Sequence, residues 1–117
     1  MPENQENTKN TDCIFCKIAN KEIPTKPVLE NNDFIAFYDI NPISKGHTLV
    51  IPKKHIKDFT ELSKQDAQFI KTYLEFIEQV RQKLKEYYPK TRGIKVNWNT
   101  DGLLEVFHVH CHLVPVY

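Results

Sequence analysis

The chain has little of what marks secreted, membrane-spanning or disulfide-stabilised proteins. Only three of its 117 residues are cysteines, and an odd number argues against a disulfide framework and for a reducing compartment. No apolar run approaches the roughly 18–20 residues of a membrane span. Residues 1–5 lack the basic and apolar segments of a secretion signal. We therefore expect a cytoplasmic protein without a membrane span.

An excess of charge of either sign is also missing. The chain has 16 Lys and Arg against 15 Asp and Glu, which gives a net charge of +1 without a long run of one sign. Proteins that bind nucleic acids through a basic surface usually carry a clear cationic excess. We therefore expect no nucleic-acid partner.

The apolar content is sufficient for one core. Leu, Ile, Val and Phe make up about 29% of the chain, above the roughly 20% below which chains tend to remain disordered. The length fits one compact domain. Residues 1–12 contain almost nothing to bury. We therefore expect a flexible N-terminal tail over 1–12 and a single domain over 13–117.

Local patterns predict an α+β fold with a mostly antiparallel sheet. Helical spacing of apolar residues indicates a short helix over 14–19 and one long helix over 63–88, where Ser63 and Asp66 resemble a capping box. Aromatic and β-branched runs indicate four strands over 34–38, 47–51, 93–98 and 105–116. The long helix is apolar on more than one side, which is consistent with packing against a partner.

Three histidines alternate with apolar residues near the end of the chain. On a strand, His108, His110 and His112 would share one face and span about 13 Å at ~3.3 Å per residue. Imidazole can act as nucleophile, general acid or general base near neutral pH, and a phosphorus centre accepts several such donors. One metal ion would reach all three only with difficulty. The alternative is a surface strand that happens to carry histidines.

A C-x-x-C pair, Cys13 and Cys16, precedes the first predicted helix. Such a pair is half of a zinc site or a thioredoxin-type redox pair, although the βαβ context of the latter is missing. A zinc site needs two more ligands, which His47, His55 or the C-terminal histidines could supply. Two buried cysteines with a packing role are the third possibility.

These segments together resemble the histidine triad (HIT) superfamily of nucleotide-binding hydrolases and transferases. The family signature alternates three histidines with apolar residues, and residues 108–114 read H-V-H-C-H-L-V. The segments C-I-F-C-K-I from 13, F-Y-D-I-N-P from 37 and G-H-T-L-V-I-P-K-K-H from 46 also match. The resemblance covers about 13–115, and the small branch similar to purine-nucleoside phosphoramidases fits best.

The resemblance implies a HIT-type fold and a role for each matching residue. His110 matches the nucleophile that forms a nucleotidyl-histidine intermediate, His112 the donor to phosphate oxygens and the leaving group, and His47 the histidine that supports these rings. Asp39 matches the acceptor from the ribose hydroxyls, with Ile40 beside it. Asn97 matches the asparagine on the phosphate side of the family's site. The apolar slot for the purine base matches Ile14, Phe15, Ile18, Ile23 and Phe37.

The resemblance also implies a structural zinc ion and a homodimer. The expected zinc ligands are Cys13, Cys16, His55 and His108, which would leave His110 and His112 for chemistry. The implied activity is hydrolysis of a nucleoside 5′-phosphoramidate or a related phosphoanhydride. The alternative functions are a non-catalytic nucleotide-binding or scaffold protein and a zinc redox protein.

The chain departs from the family pattern just before the triad. Relatives carry Gly-Gln and a small or polar residue there, whereas this chain has Leu103, Leu104 and Glu105. A leucine side chain cannot donate a hydrogen bond to phosphate, and a carboxylate facing the site would repel an anion. We therefore expect this departure to affect the catalytic rate more than the fold.

Overall fold

The computed structural model describes residues 13–117, which form three helices and five strands. The strands are β1 (Leu29–Glu30), β2 (Phe34–Tyr38), β3 (Thr48–Pro52), β4 (Gly93–Trp98) and β5 (Cys111–Val116). The helices are α1 (Ile14–Ala19), α2 (Phe59–Ser63) and α3 (Ala67–Tyr87), and a single 3₁₀ turn spans Asp101–Leu103. The predicted tail over 1–12 lies outside the described residues.

The five strands form one antiparallel sheet in the order β1-β2-β3-β5-β4. The predicted α+β class with a mostly antiparallel sheet is therefore confirmed. β5 lies between β3 and β4, so that His112 stands opposite Leu49 on one side and Asn97 on the other. The last histidine of the triad is thus placed in the interior of the sheet.

Both faces of the sheet are covered, and residues along β2 alternate between two apolar clusters. Phe34 and Ala36 belong to the larger cluster, which contains the buried residues of α3. Ile35 and Phe37 belong to the smaller cluster, which contains the buried residues of α1. Because neighbouring residues of a strand point to opposite faces, a strand covered on both sides is apolar at every position.

The long helix begins later than the sequence pattern predicts. Ser63 ends α2, and its hydroxyl donates to the Thr60 carbonyl instead of capping a helix. The side chain of Asp66 accepts from the Phe69 amide at 2.8 Å and is the N-cap of α3. Asp58 caps α2 in the same way. The predicted helix over 63–88 was therefore wrong at its start, because Ser63 belongs to the preceding helix and Asp66 caps the next one.

The last predicted strand, over 105–116, is also too long. Regular pairing begins only at Cys111, and the amide of Val109 donates to the Ile56 carbonyl outside the sheet. The side chains still alternate, since Val109 and Cys111 enter the larger apolar cluster. The strand predicted over 47–51 is shifted by one residue, and the short edge strand β1 was not predicted. None of the helices in 13–117 is both long enough and apolar enough to cross a membrane.

Candidate functional site

A cleft of about 300 Å³ lies on the face of the sheet that is turned away from α3. Its polar lining consists of Asp39, Asn41, His47, Asn99, Glu105, His110 and His112. Its apolar lining consists of Phe15, Ile43, Leu49, Leu103 and Val106. The two later triad histidines and the histidine before β3 therefore share one cleft.

The proton on His110 is placed by a backbone carbonyl. Its Nδ1 lies 2.8 Å from the carbonyl oxygen of His108. A carbonyl only accepts, so Nδ1–H donates, and in a neutral ring the lone pair must then be on Nε2. Phe15 packs edge-on against this ring at 5.1 Å. A fixed imidazole with a free Nε2 is the form that attacks an electrophile.

The protons on His47 and His112 follow from a second backbone contact. The amide of Ile43 donates to Nδ1 of His47 at 3.1 Å, which leaves the ring proton of a neutral His47 on Nε2. That Nε2 lies 3.0 Å from Nδ1 of His112 and donates to it. The proton of His112 therefore resides on its own Nε2. The site thus pairs an acceptor nitrogen on His110 with a donor nitrogen on His112, whose rings lie 5.0 Å apart.

A tight turn holds His47 in this position. Gly46 has φ +89°, a backbone conformation that favours glycine. A Cβ at this position would also lie only 2.8 Å from the Tyr88 ring, so no larger residue fits. Across the turn, the Asp39 amide donates to the His47 carbonyl at 3.0 Å. One carboxylate oxygen of Asp39 accepts from the Asn41 amide at 2.9 Å, and the other lies 3.6 Å from Nε2 of His47. Asp39 therefore has a turn-forming role in addition to its place in the cleft.

Burial keeps the three rings neutral at physiological pH. It lowers the pKa of His47 against the opposing effect of Asp39, and it lowers the pKa of His110. For His112, burial and then the neighbouring rings of His110 and His47 lower the pKa to about 4. Neutral rings keep the donor and acceptor assignments described above.

Four soft or borderline ligands meet under α1. Nδ1 of His108 lies 3.4 Å from each Sγ of Cys13 and Cys16, and 3.2 Å from Nδ1 of His55. Sγ of Cys16 lies 3.1 Å from Nδ1 of His55. Hydrogen bonds from Cys16, opposed by burial, and contacts with His108 lower the pKa of the Cys13 thiol. These four residues could hold a metal ion.

The donor set of this cluster fits a tetrahedral metal ion. Nε2 of His108 lies 2.7 Å from the Pro52 carbonyl and donates to it, so Nδ1 offers its lone pair to the cluster when the ring is neutral. Two nitrogens bound at about 2.0–2.1 Å to a tetrahedral ion lie roughly 3.3 Å apart, close to the separation of His108 and His55. Thiolates and imidazoles are the usual ligands of structural zinc.

A second group of possible metal ligands consists of Asp39, His47 and His112. It fits a metal ion less well than the Cys–His cluster does. The ligand atom of His47 would be Nε2, the nitrogen that carries the ring proton because the Ile43 amide occupies Nδ1. Metal-bound histidines instead donate their second ring nitrogen to an acceptor. The hydrogen bonds of this group therefore favour proton handling over metal binding.

The residues expected around a base and a ribose are dispersed over the site. Phe15 lines the cleft, whereas Ile18 and Phe37 are buried in the smaller apolar cluster and Ile23 packs at its edge. Ile14 is 46% exposed and Ile40 is 89% exposed, both away from the cleft lining.

Asn97 was predicted to contact the phosphate, but the nearby Asn99 lies closer to the ring of His112. Asn97 is exposed opposite His112, and its amide donates to Asn99 at 3.1 Å. Asn99 lines the cleft, and its Nδ2 lies 3.4 Å from Nε2 of His112. Because both of these nitrogens carry protons, this longer contact is a close approach of two donors, and the 3.0 Å contact with His47 decides which nitrogen of His112 is protonated. The sequence interpretation missed Asn99, although its position two residues after Asn97 was a usable signal. It also missed the lining residues Asn41, Ile43, Leu49 and Val106, although Asn41 and Leu49 lie within segments that match the family.

Known proteins share both the sequence and the fold. The HIT domain family matches residues 20–117. An uncharacterised HIT-like protein of Methanocaldococcus jannaschii is 43% identical over 106 residues, which are 90% of this chain and 79% of that protein. The crystal structure of a HIT family member from Bacillus subtilis superposes with a TM-score of 0.82 at 33% identity, covering 91% of this chain and 74% of the other. A HIT family hydrolase from Legionella pneumophila has a TM-score of 0.73 at 35% identity, covering 87% of this chain and 90% of its own.

The lowered pKa of His112 predicts a loss of stability in acid. In the unfolded chain this ring protonates near pH 6.5, and in the folded chain only near 4. Between these values the unfolded state binds more protons, so stability falls as the pH is lowered from about 6.5 to about 4. After allowance for partial exposure of the ring, we expect this residue to account for roughly 1–2 kcal/mol.

Urea unfolding at pH 7 and pH 4.5 measures this effect. His112→Gln removes the titrating ring and leaves the Cys–His cluster intact, so its stability should fall less between the two pH values than that of the wild type. An identical fall in both proteins would contradict the assignment to His112.

Proposed function

The chain belongs to the HIT domain family, and from this membership we propose that it is a nucleotide-binding hydrolase that cleaves nucleoside 5′-phosphoramidates or related nucleotidyl compounds. The observation that carries the proposal is the opposite protonation of two adjacent rings. His110 presents a lone pair on Nε2, whereas His112 presents a proton on Nε2. A nucleophile beside a donor is what displacement at phosphorus requires.

In the first step, Nε2 of His110 attacks phosphorus and forms a P–N bond to the ring. The bond between phosphorus and the leaving nitrogen breaks, and the electron pair leaves with that nitrogen. The leaving group takes up one proton, which His112 passes on from solvent. The positive charge that develops on the nucleotidylated ring is held by the Nδ1–H contact to the His108 carbonyl.

In the second step, water attacks the same phosphorus and restores His110. The bond from phosphorus to Nε2 breaks, and the pair of electrons returns to the ring. The water loses one proton to solvent, since Nε2 of His112 already carries a proton, so the two steps together consume one water and yield the nucleoside monophosphate and the free leaving group. This chemistry uses only imidazole groups of the chain.

The nucleoside would lie along the apolar side of the cleft. Phe15 and Leu49 offer flat and aliphatic surface to a base, and the Asp39 carboxylate can accept from ribose hydroxyls. Asn99 is placed to contact the phosphate beside His112. We retain a purine as the expected base, with Ile14, Ile18, Ile23 and Phe37 forming or backing its slot, and Ile40 and Asn97 as the more distant contacts.

Replacing the nucleophile provides the direct test. His110→Asn should lower turnover of a nucleoside phosphoramidate by at least about 10³-fold, because no ring nitrogen remains to form the intermediate. Binding of the nucleoside monophosphate, measured by calorimetry, should change little.

A labelled nucleotidyl group trapped on His110 of the wild type would support the mechanism. Full activity of His110→Asn would refute the nucleophile assignment. Tight nucleotide binding without turnover by the wild type would favour the alternative, a non-catalytic binding protein.

We also propose that the Cys–His cluster binds one structural zinc ion through Cys13, Cys16, His55 and His108. Four protein ligands leave no open coordination position, so the ion would stabilise the fold and take no part in the reaction. It would connect α1 to the segment that carries His110. The convergence of the two Nδ1 atoms and two sulfurs supports this proposal.

Metal analysis and melting temperature test the zinc proposal together. Protein purified without chelator should contain about one zinc per chain, and a chelator should lower the melting temperature before it lowers the rate. Cys16→Ala should lose the metal, whereas Cys111→Ala, a buried cysteine outside the cluster, should retain it. Wild-type protein without metal would contradict the site.

We further propose that the protein is a homodimer that pairs through the outer face of α3. Ala67, Ile70 and Leu74 line a shallow groove there, and Leu74 is 49% exposed. Light scattering should give about twice the chain mass of 13.8 kDa. Leu74→Lys, which suits a helix and faces Glu78 one turn on, should shift the protein toward the monomer, whereas Tyr87→Lys near the helix end should not. A monomeric wild type would refute the dimer.

A further inference from the structure

Two of the residues that line the cleft are aliphatic and largely exposed to solvent. Leu103 and Ile43 both line it, yet they are 71% and 77% exposed. Single exposed aliphatic residues are common on protein surfaces. Two that border the same cleft leave apolar area in water that a bound molecule could cover.

The backbone holds Leu103 at this place. Asp101 has φ +56°, a left-handed conformation that aspartate tolerates better than most residues. The amides of Leu103 and Leu104 donate to the carbonyls of Thr100 and Asp101 at 3.1 Å each, which closes the 3₁₀ turn. The turn therefore places Leu103 beside the cleft.

The carboxylates in the described lining of the cleft have no basic residue beside them in that lining. Among the described lining residues there is no lysine and no arginine, whereas Asp39 and Glu105 contribute carboxylates. A polyphosphate chain carries several negative charges and binds best where Lys or Arg side chains pair with them. Glu105 would instead repel each additional anionic group.

From these observations, and resting on the proposed function, we infer that the preferred leaving group is an amine with an apolar body and no negative charge, bound by Leu103 and Ile43 and selected against anions by Glu105. Dinucleoside polyphosphates and phosphoramidates with acidic leaving groups are then poor substrates. The chemical step is unchanged: the P–N bond breaks, the P–Nε2 bond to His110 forms, and the amine leaves after taking up one proton. Leu103, Ile43 and Glu105 act as specificity determinants.

A matched set of substrates tests this inference. Adenosine 5′-phosphoramidates of ammonia, hexylamine and 6-aminohexanoate separate the two effects, because the last two have the same chain length and differ by one terminal carboxylate. We expect kcat/KM for the hexylamine compound to exceed that for the other two by about tenfold or more. Diadenosine tetraphosphate should be cleaved more slowly than any of the three.

Variants at the cleft mouth assign the preference to residues. Leu103→Gln should reduce the hexylamine-to-ammonia ratio severalfold, whereas Leu103→Met, of similar length and unbranched like glutamine, should preserve it. Glu105→Gln should raise severalfold the ratio of kcat/KM for the 6-aminohexanoate compound to that for the hexylamine compound. Ratios between substrates cancel a uniform change of rate or of folded fraction.

The outcomes distinguish this inference from the proposed function. Equal kcat/KM values for the hexylamine and 6-aminohexanoate compounds would overturn the inference while leaving the hydrolase activity intact. Preferential cleavage of diadenosine tetraphosphate would do the same. Turnover of none of the four compounds would overturn both.

Discussion

The hydrogen bond from the ring of His110 to the carbonyl of His108 determines most of what this site can do. It leaves the lone pair of His110 on Nε2, inside the cleft. The carbonyl belongs to a residue that is itself fixed, since Nε2–H of His108 donates to Pro52 and its Nδ1 faces two sulfurs and His55. The candidate metal cluster and the candidate nucleophile are thus two residues apart and share one segment of backbone.

The sheet explains why these two sites remain separate. Val109 and Cys111 point into the apolar cluster beneath α3, so the intervening histidines must point the other way. Helix α1 covers part of that side, and Phe15 contacts the rings of both His108 and His110. One short helix therefore forms a wall of the cleft and supplies two ligands of the cluster.

The cleft consists of a group of histidine rings and an entrance that other segments of the chain form. Its rings are neutral because burial lowers their pKa values, and their protons are directed by backbone groups of Ile43 and His108. The entrance is formed by the 3₁₀ turn and by Glu105. The rings and the entrance therefore belong to different parts of the structure.

The sequence by itself determined the α+β class and the spans of α1, β2 and β4, because the periodicity of apolar residues encodes these locally. The grouping of Cys13, Cys16, His55 and His108 followed from the resemblance to a family, since the residues alone left the choice among the histidines open. Tertiary structure decided where α3 and β5 begin, since capping by Asp66 and the contact of Val109 with Ile56 are not visible in apolar spacing. It also decided which ring nitrogens carry protons and that Asn99 and Ile43 enter the cleft. These features depend on backbone groups brought together from distant segments, and no pattern of side chains along the chain specifies such contacts.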